Sequence, residues 1–377
     1  MDNFNMYSFL DKIGVDGEKI KWERGMAKII EELKLNFDDV LIVPKESSID
    51  SRKDVDLNVS FTFPHSKATW NGIPLIAANM TTVASFEMAN ALAKHNIMTA
   101  IHKYYSVEEL TKFFNTSVGH NYAWYTLGTN SDDWNKFKKV NSNNIINKIC
   151  IDVANGYRDS FVDAVKRLRD ENPNITIMAG NVVTPEQTSK LINAGADVCK
   201  IGIGSSAICI TRLKAGCGVP QFSAIIECSE AAYELNAFIC SDGGCKIPGD
   251  ICKAFGAMSG KNFVMLGSML AGHNETGAKK VIDSNGNELV EFYGMSSEKA
   301  MQNHNNGMNS YRSSEGRHIL LPSRGSVENT ILDILGSLRS CCTYTNSKTL
   351  DQLPENTTFI KVNETHNRNF ERFDKSI

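Results

Sequence analysis

The chain has 377 residues, 42% of them hydrophobic and 22% charged, with a formal net charge of −3. That length can bury a large core, in one big domain or two small ones. The charge gives no sign of a nucleic-acid or membrane partner, and no apolar run reaches the ~18 residues a membrane span needs.

The N-terminal MDNFNMYSFLDKIG shows no basic flank before an apolar segment, so no signal peptide is expected. Residues 1–30 are expected as an N-terminal extension, 31–345 as the catalytic domain and 346–377 as a peripheral C-terminal tail. From residue 74 onward, short β-rich runs alternate with helical patterns. The runs are Pro74–Ala78, Ile97–His102, Ala123–Gly128, Ile149–Val153, Ile175–Gly180, Val198–Ile201, Phe238–Ser241 and Phe263–Gly267. Between them, residues 158–171 space Phe161, Val162, Val165 and Leu168 near the 3.6 period of a helix. Residues 184–194 open on Thr184-Pro185, a cap followed by proline at the first helical position. Residues 225–235, 249–256 and the closing stretch 326–342 also fit helices.

Strands alternating with helices build parallel βαβ units, and eight such units close most economically into a (β/α)8 TIM barrel. An open doubly wound sheet competes. The barrel is preferred because functional-looking residues follow several different strands, whereas a doubly wound sheet gathers them at one switch point. Residues 272–325 read as a long flap insertion after strand eight, rich in Asn, Ser and Gly.

The ten cysteines include no CxxC pair, and Cys150, Cys199 and Cys240 sit at apolar runs where a free thiol acts as a small hydrophobe. A reducing, cytoplasmic setting is expected.

After strand six comes Gly202-Ile203-Gly204-Ser205-Ser206-Ala207-Ile208-Cys209-Ile210-Thr211-Arg212. Its small residues permit tight turns and close ligand approach. Cys209 is either a buried spacer or a nucleophile. A helix start and Arg212 beyond it would favour the thiolate, and Thr211 could relay a proton. After strand seven, Ser241-Asp242-Gly243-Gly244 and, after strand eight, Gly267-Ser268 suit a phosphate cradle, with Asp242 suited to a ribose diol. Two ordinary turns are the plain alternative. Asp152-Val153-Ala154-Asn155-Gly156-Tyr157 is either a ligand-binding rim or a helix-capping region. Lys103 could meet a cofactor, while His102 reads as a strand-end residue. Asn79-Met80-Thr81-Thr82 is a polar break that could touch ligand. In the flap, Glu315 could be delivered as a proton donor or acceptor once ligand is bound.

Together these motifs closely resemble the inosine monophosphate dehydrogenase/GMP reductase family. The likeness runs from Leu35-Asn36-Phe37-Asp38-Asp39 to about Phe359-Ile360, and includes Ile76–Met80, Met178–Thr184, Phe292–Glu298 and Tyr311–Gly316. The reductase branch is favoured because only about twenty residues follow His102 before the next strand, which leaves no room for the dehydrogenases' regulatory CBS insertion. The flap's Tyr311-Arg312 followed by Glu315 also looks like the reductase pattern.

The resemblance implies that Cys209 attacks C2 of GMP, ammonia leaves a covalent thioimidate, and NADPH reduces it to IMP, in purine salvage. Thr211 and Glu315 would handle the amine's proton. It puts phosphate on Gly243, Gly244, Gly267 and Ser268, and ribose on Asp242. Gly294, Met295, Ser296, Arg312, Ser313, Ser314 and Gly316 would read the base. The cofactor would meet Lys103, Asp152, Val153, Ala154, Ile203 and Gly204, with Ser51 and Arg52 reaching it from a neighbouring subunit of a homotetramer. Carbonyls of Gly204, Ser206 and Cys209 would hold potassium. Three segments depart from the family pattern. Its usual GIGPGS reads Gly202-Ile203-Gly204-Ser205-Ser206-Ala207 here, Ile210 replaces a threonine, and Gly267-Ser268 replaces Gly-Gly. A serine at 206 is costly if that backbone needs positive φ. The other readings are a dehydrogenase lacking the CBS domain, a non-catalytic purine-nucleotide-binding homologue, and a flavin-dependent barrel oxidase.

Overall fold

A computed structural model describes residues 27–304 and 313–363. The chain divides into two compact units, Met1–Leu33 and Lys34–Ile377, and every element below belongs to the second.

Eight parallel strands close into a barrel: Leu75–Ala77, Met98–Ile101, Ala123–Leu127, Lys148–Asp152, Thr176–Val182, Val198–Ile201, Phe238–Asp242 and Phe263–Leu266. Each matches an apolar run read from the sequence. The ring shuts where the eighth strand pairs with the first, Val264 opposite Leu75 and Leu266 opposite Ala77. Helices follow the strands, among them Asp159–Glu171, Pro185–Asn193 and Pro248–Ala257. The helix expected over 225–235 begins earlier, at Gln221, directly after Pro220. Gln221 is buried there and its amide donates to the Ile201 carbonyl at 2.8 Å, so a tertiary contact sets the start.

The end of the barrel opposite the cysteine loop is plugged by an antiparallel hairpin, Val59–Thr62 with Thr69–Gly72. Its inward residues alternate, as a half-buried strand requires, and Phe61 stacks on Phe263 at 4.3 Å and meets Phe238 edge-on at 5.1 Å. Fully buried Asp197 fastens the hairpin turn, accepting from the amides of His65 (2.8 Å), Ser66 (3.1 Å) and Ile177 (2.9 Å) and from Arg169 Nη2 (2.7 Å). Phe61→Leu removes the ring pairs but keeps most of the volume. It should cost about 1–2 kcal/mol, read as a lower denaturant midpoint at unchanged slope.

The flap carries more order than its polar composition suggests. It holds a three-stranded antiparallel sheet, Lys280–Ile282, Glu288–Tyr293 and His318–Pro322, and a helix, Glu298–His304. Val290 and Phe292 bury its inner face. The tail also contributes to the packing. Leu350 and Leu353 are buried, and Phe359–Lys361 pairs antiparallel with Val40–Ile42. Among the described residues no helix is long and apolar enough to cross a membrane.

Candidate active site

A cleft of about 340 Å³ opens at the C-terminal mouth of the barrel, where the ends of the first seven strands and the flap supply backbone and side chains from distant parts of the chain. The cysteine loop forms one wall and the flap another.

The two walls are joined by backbone hydrogen bonds. Ile210 N donates to the Glu315 carbonyl at 2.8 Å, and Arg317 N donates to the Ile208 carbonyl at 2.9 Å. Cys209 thus lies opposite Gly316 in an isolated antiparallel bridge. Gly316 is buried, and a Cβ there would come within 2.7 Å of the Ser297 amide nitrogen, so no larger residue fits. Glu315 N in turn donates to the Ser296 carbonyl at 3.1 Å.

This ladder places three side chains in line. Thr211 Oγ1 donates to Glu315 Oε2 at 2.6 Å and lies 3.2 Å from Cys209 Sγ. The threonine's only hydroxyl proton goes to the carboxylate, so its oxygen is left to accept from the thiol. Glu315 therefore stands beside the cysteine without any further movement of the flap. Arg212 does not face the thiol. Its Nη2 donates to the Val219 carbonyl at 2.9 Å, and the helix after Cys209, Thr211–Lys214, is a single turn.

Across the cleft lies a charge network that the sequence reading missed. Lys200, 3% exposed, donates to Asp242 Oδ2 at 2.9 Å and pairs with Asp152 Oδ1 at 2.9 Å. Asn79 bonds the other oxygen of Asp152 at 2.9 Å, and Asn181 bonds Asp242 at 2.9 Å. Burial works against the charge on Lys200, but the two carboxylates outweigh it and raise its pKa well above the ordinary value. The lysine holds the strand-four and strand-seven carboxylates at fixed places on the rim. Its sequence signal was a lysine inside a buried apolar strand, which must find a partner. Lys103 is likewise ion-paired, with Asp133. His102 is buried and stacks on Tyr105 at 4.3 Å, and desolvation, aided by His304, lowers its pKa to about 4. It is a neutral packing group and does not line the cleft.

Most of the expected residues meet here. Cys209, Thr211, Glu315 and Asp242 line the cleft, as do Gly294, Met295, Ser296 and Gly316 from the flap. Lys103, Asp152, Val153, Ala154, Ile203, Gly204 and Ser206 line it too. Gly243, Gly244, Gly267 and Ser268 do not, and neither do Ser51 and Arg52. The Ser51-Arg52 turn packs against the helix Val327–Tyr344 instead. Ser313 is exposed, and Ser314 Oγ caps the flap helix by accepting from Glu298 N at 3.1 Å. Arg312 lies outside the described residues. Ser206 does not have positive φ, so the conformational cost raised by its sequence position does not arise.

Residues 34–370 match the family described as "IMP dehydrogenase / GMP reductase domain". The chain belongs to the IMP dehydrogenase/GMP reductase family. Curated relatives named "GMP reductase" are similar over nearly their whole length. One from Escherichia coli O81 (strain ED1a) is 51% identical over 346 residues, covering 91% of this chain and 99% of the relative. Others from Escherichia coli O139:H28 (strain E24377A / ETEC) and Shigella boydii serotype 4 (strain Sb227) are 52% and 51% identical over the same shares. The family's eight-stranded barrel accounts for the site's position, because all three groups in the Cys209 line come from loops at one barrel mouth.

Proposed function

We propose that this chain catalyses the NADPH-dependent reductive deamination of GMP to IMP and ammonia, through a thioimidate on Cys209, in purine salvage. The observation that carries the reading is the Cys209–Thr211–Glu315 line at 3.2 and 2.6 Å, joined to relatives that bear the reductase name over 99% of their length. One hydride enters C2 of the purine, and the amino group leaves with two protons as ammonium.

The geometry gives each group a task. Sγ adds to C2, and the thiol proton passes to Thr211 as its hydroxyl proton passes to Glu315. The glutamic acid so formed can protonate the departing amine, which leaves poorly otherwise. Collapse of the adduct expels ammonia and leaves C2 bonded to sulfur. Bound NADPH supplies the hydride that resolves that bond and frees the thiolate. Glu315→Gln keeps the shape of the line but cannot carry the proton. It should lower the rate of ammonia release about 10²-fold, measured in a single turnover, with GMP binding nearly unchanged.

The cleft fits a cofactor beside the nucleotide. Two of its buried polar atoms, Thr126 Oγ1 and Asn181 Oδ1, have no partner and would pair with a bound group. Lys103, Asp152, Val153, Ala154, Ile203 and Gly204 form the cofactor side in this reading, with Ser51 and Arg52 added by a neighbour in a homotetramer. Among the described residues no cluster of three His, Cys, Asp or Glu could hold a metal ion. The carbonyls of Gly204, Ser206 and Cys209 are a different donor set, uncharged oxygens that suit potassium. Ser206 spends one lone pair on Cys209 N at 3.1 Å and keeps the other. No chemical step requires the ion. A cytoplasmic location belongs to the same reading.

The deciding assay supplies GMP with NADPH, and separately IMP with NAD, and follows the nicotinamide absorbance together with ammonia. Ammonia and NADP+ formed in equal amounts from GMP support the reductase. NADH formed from IMP would make the chain a dehydrogenase, and GMP binding without ammonia would make it a non-catalytic homologue.

A further inference from the structure

The flap is fastened to the barrel along two seams. One is the backbone bridge between Cys209 and Gly316. The other lies on the far side of the mouth, at the loops after strands one and two, and is made by side chains. Tyr104 stacks on His304, at the end of the flap helix, with ring centroids 3.7 Å apart. Thr81 Oγ1 donates to Tyr293 Oη at 3.1 Å and also reaches Met295 Sδ at 3.8 Å. Tyr293 Oη accepts in addition from Asn303 Nδ2 at 3.3 Å, which ties the flap strand to the flap helix.

Thr81 is the stiff partner in this second seam. It sits in a tight turn in which Val83 N and Ala84 N both donate to the Met80 carbonyl, at 3.0 and 2.8 Å. Its β-branched side chain has little freedom at χ1. Its one hydroxyl proton faces two acceptors, Tyr293 Oη and Met295 Sδ, and both belong to the flap. Met295 is the soft partner. Its unbranched thioether turns about three bonds, and it is half-buried in the wall of the cleft. Thr81 and Tyr293 do not line the cleft, so neither is placed to touch a ligand there.

We propose that Thr81 is a positioning residue for the substrate base: from outside the cleft it pins Tyr293 and the Met295 thioether, and so fixes the flap side chain that meets the purine. The inference rests on the nucleotide reading of the cleft and gives Thr81 no contact with the nucleotide. With the hydroxyl in place, Met295 is ordered before the purine arrives. Without it, the side chain must be ordered on binding, and affinity falls accordingly. The Cys209–Thr211–Glu315 line is held by the other seam and keeps its geometry. The loss is therefore one of affinity more than of chemistry.

Titration calorimetry on the full chain, on Thr81→Val and on Thr81→Ser tests this, with GMP and with ribose 5-phosphate, which lacks the base. Valine keeps the branched shape and removes the hydroxyl, whereas serine keeps the hydroxyl. Thr81→Val should bind GMP roughly three- to tenfold more weakly, and Thr81→Ser within about twofold of the parent. Ribose 5-phosphate should bind all three alike. Ammonia release at saturating GMP should fall by less than the affinity does. Unchanged GMP affinity in Thr81→Val would overturn the proposal. Equal losses for both ligands, a serine variant as weak as the valine one, or a saturated rate that drops as far as the affinity would make Thr81 a determinant of loop shape and overturn it as well. The underlying reading fails separately: GMP binding that is weakened by valine and restored by serine, with no ammonia released, removes the reductase reaction and keeps the role of Thr81.

Discussion

Cys209→Ala should abolish conversion of GMP, by on the order of 10⁴-fold or more, while GMP still binds. The size follows from what is lost. Without sulfur there is no covalent adduct, and the reaction would need direct hydride attack on a purine carbon that still carries its amine. Thr211 and Glu315 keep their 2.6 Å hydrogen bond, but without the thiol the carboxylate receives no proton to pass to the amine. Binding survives because Asp242 and the flap residues Met295 and Ser296 are held by contacts that do not involve the thiol. Two readouts check the outcome. Ammonia release reports the chemistry, and the mass of the peptide spanning Cys209 after incubation with GMP reports the adduct in the parent chain alone. Retained turnover in the alanine variant would remove the covalent mechanism, and with it the role given to Glu315.

The barrel was legible because each of its strands is a short apolar run, buried on both faces and closed by polar or glycine residues, and such runs stand out without any tertiary information. Two of the three smaller sheets were harder to read, for different reasons. Val59, Phe61 and Phe63 alternate with polar residues, a readable strand signal, but nothing in that pattern says the hairpin will plug a barrel. In the flap, Asn285-Gly286 marks a hairpin turn between Lys280–Ile282 and Glu288–Tyr293, yet its surroundings are polar enough to read as loop. The Cys209–Thr211–Glu315 line could be suspected from residue types alone. What the sequence could not supply was that Thr211 and Glu315, 104 residues apart, are already in contact, because that depends on backbone bonds between two loops. Lys200 was hidden for the same reason. Its partners Asp152 and Asp242 sit at the ends of other strands, and only closure of the barrel brings them to it.

That lysine is where the second large effect is expected. Lys200→Met fills a similar volume but leaves two carboxylates, Asp152 and Asp242, facing one another with no cation between them. Removing one member of a buried ionic cluster costs about 3–5 kcal/mol, and the partial exposure of the two aspartates, 30% and 21%, puts the expected loss near the lower end. The pH dependence separates this from simple mispacking. In the parent chain the pKa of Lys200 is raised in the fold, so its stabilisation is complete below the unfolded value of about 10.5 and is lost only as pH climbs through the folded one. Its contribution is therefore flat between pH 5 and 9. In the variant the two carboxylates repel one another with no cation between them, and acid relieves that repulsion. The stability gap between parent and variant, taken from denaturant midpoints, should accordingly narrow from pH 8 to pH 5. A gap independent of pH would mean that Lys200 serves as packing, and that Asp152 and Asp242 hold their rim positions without its charge.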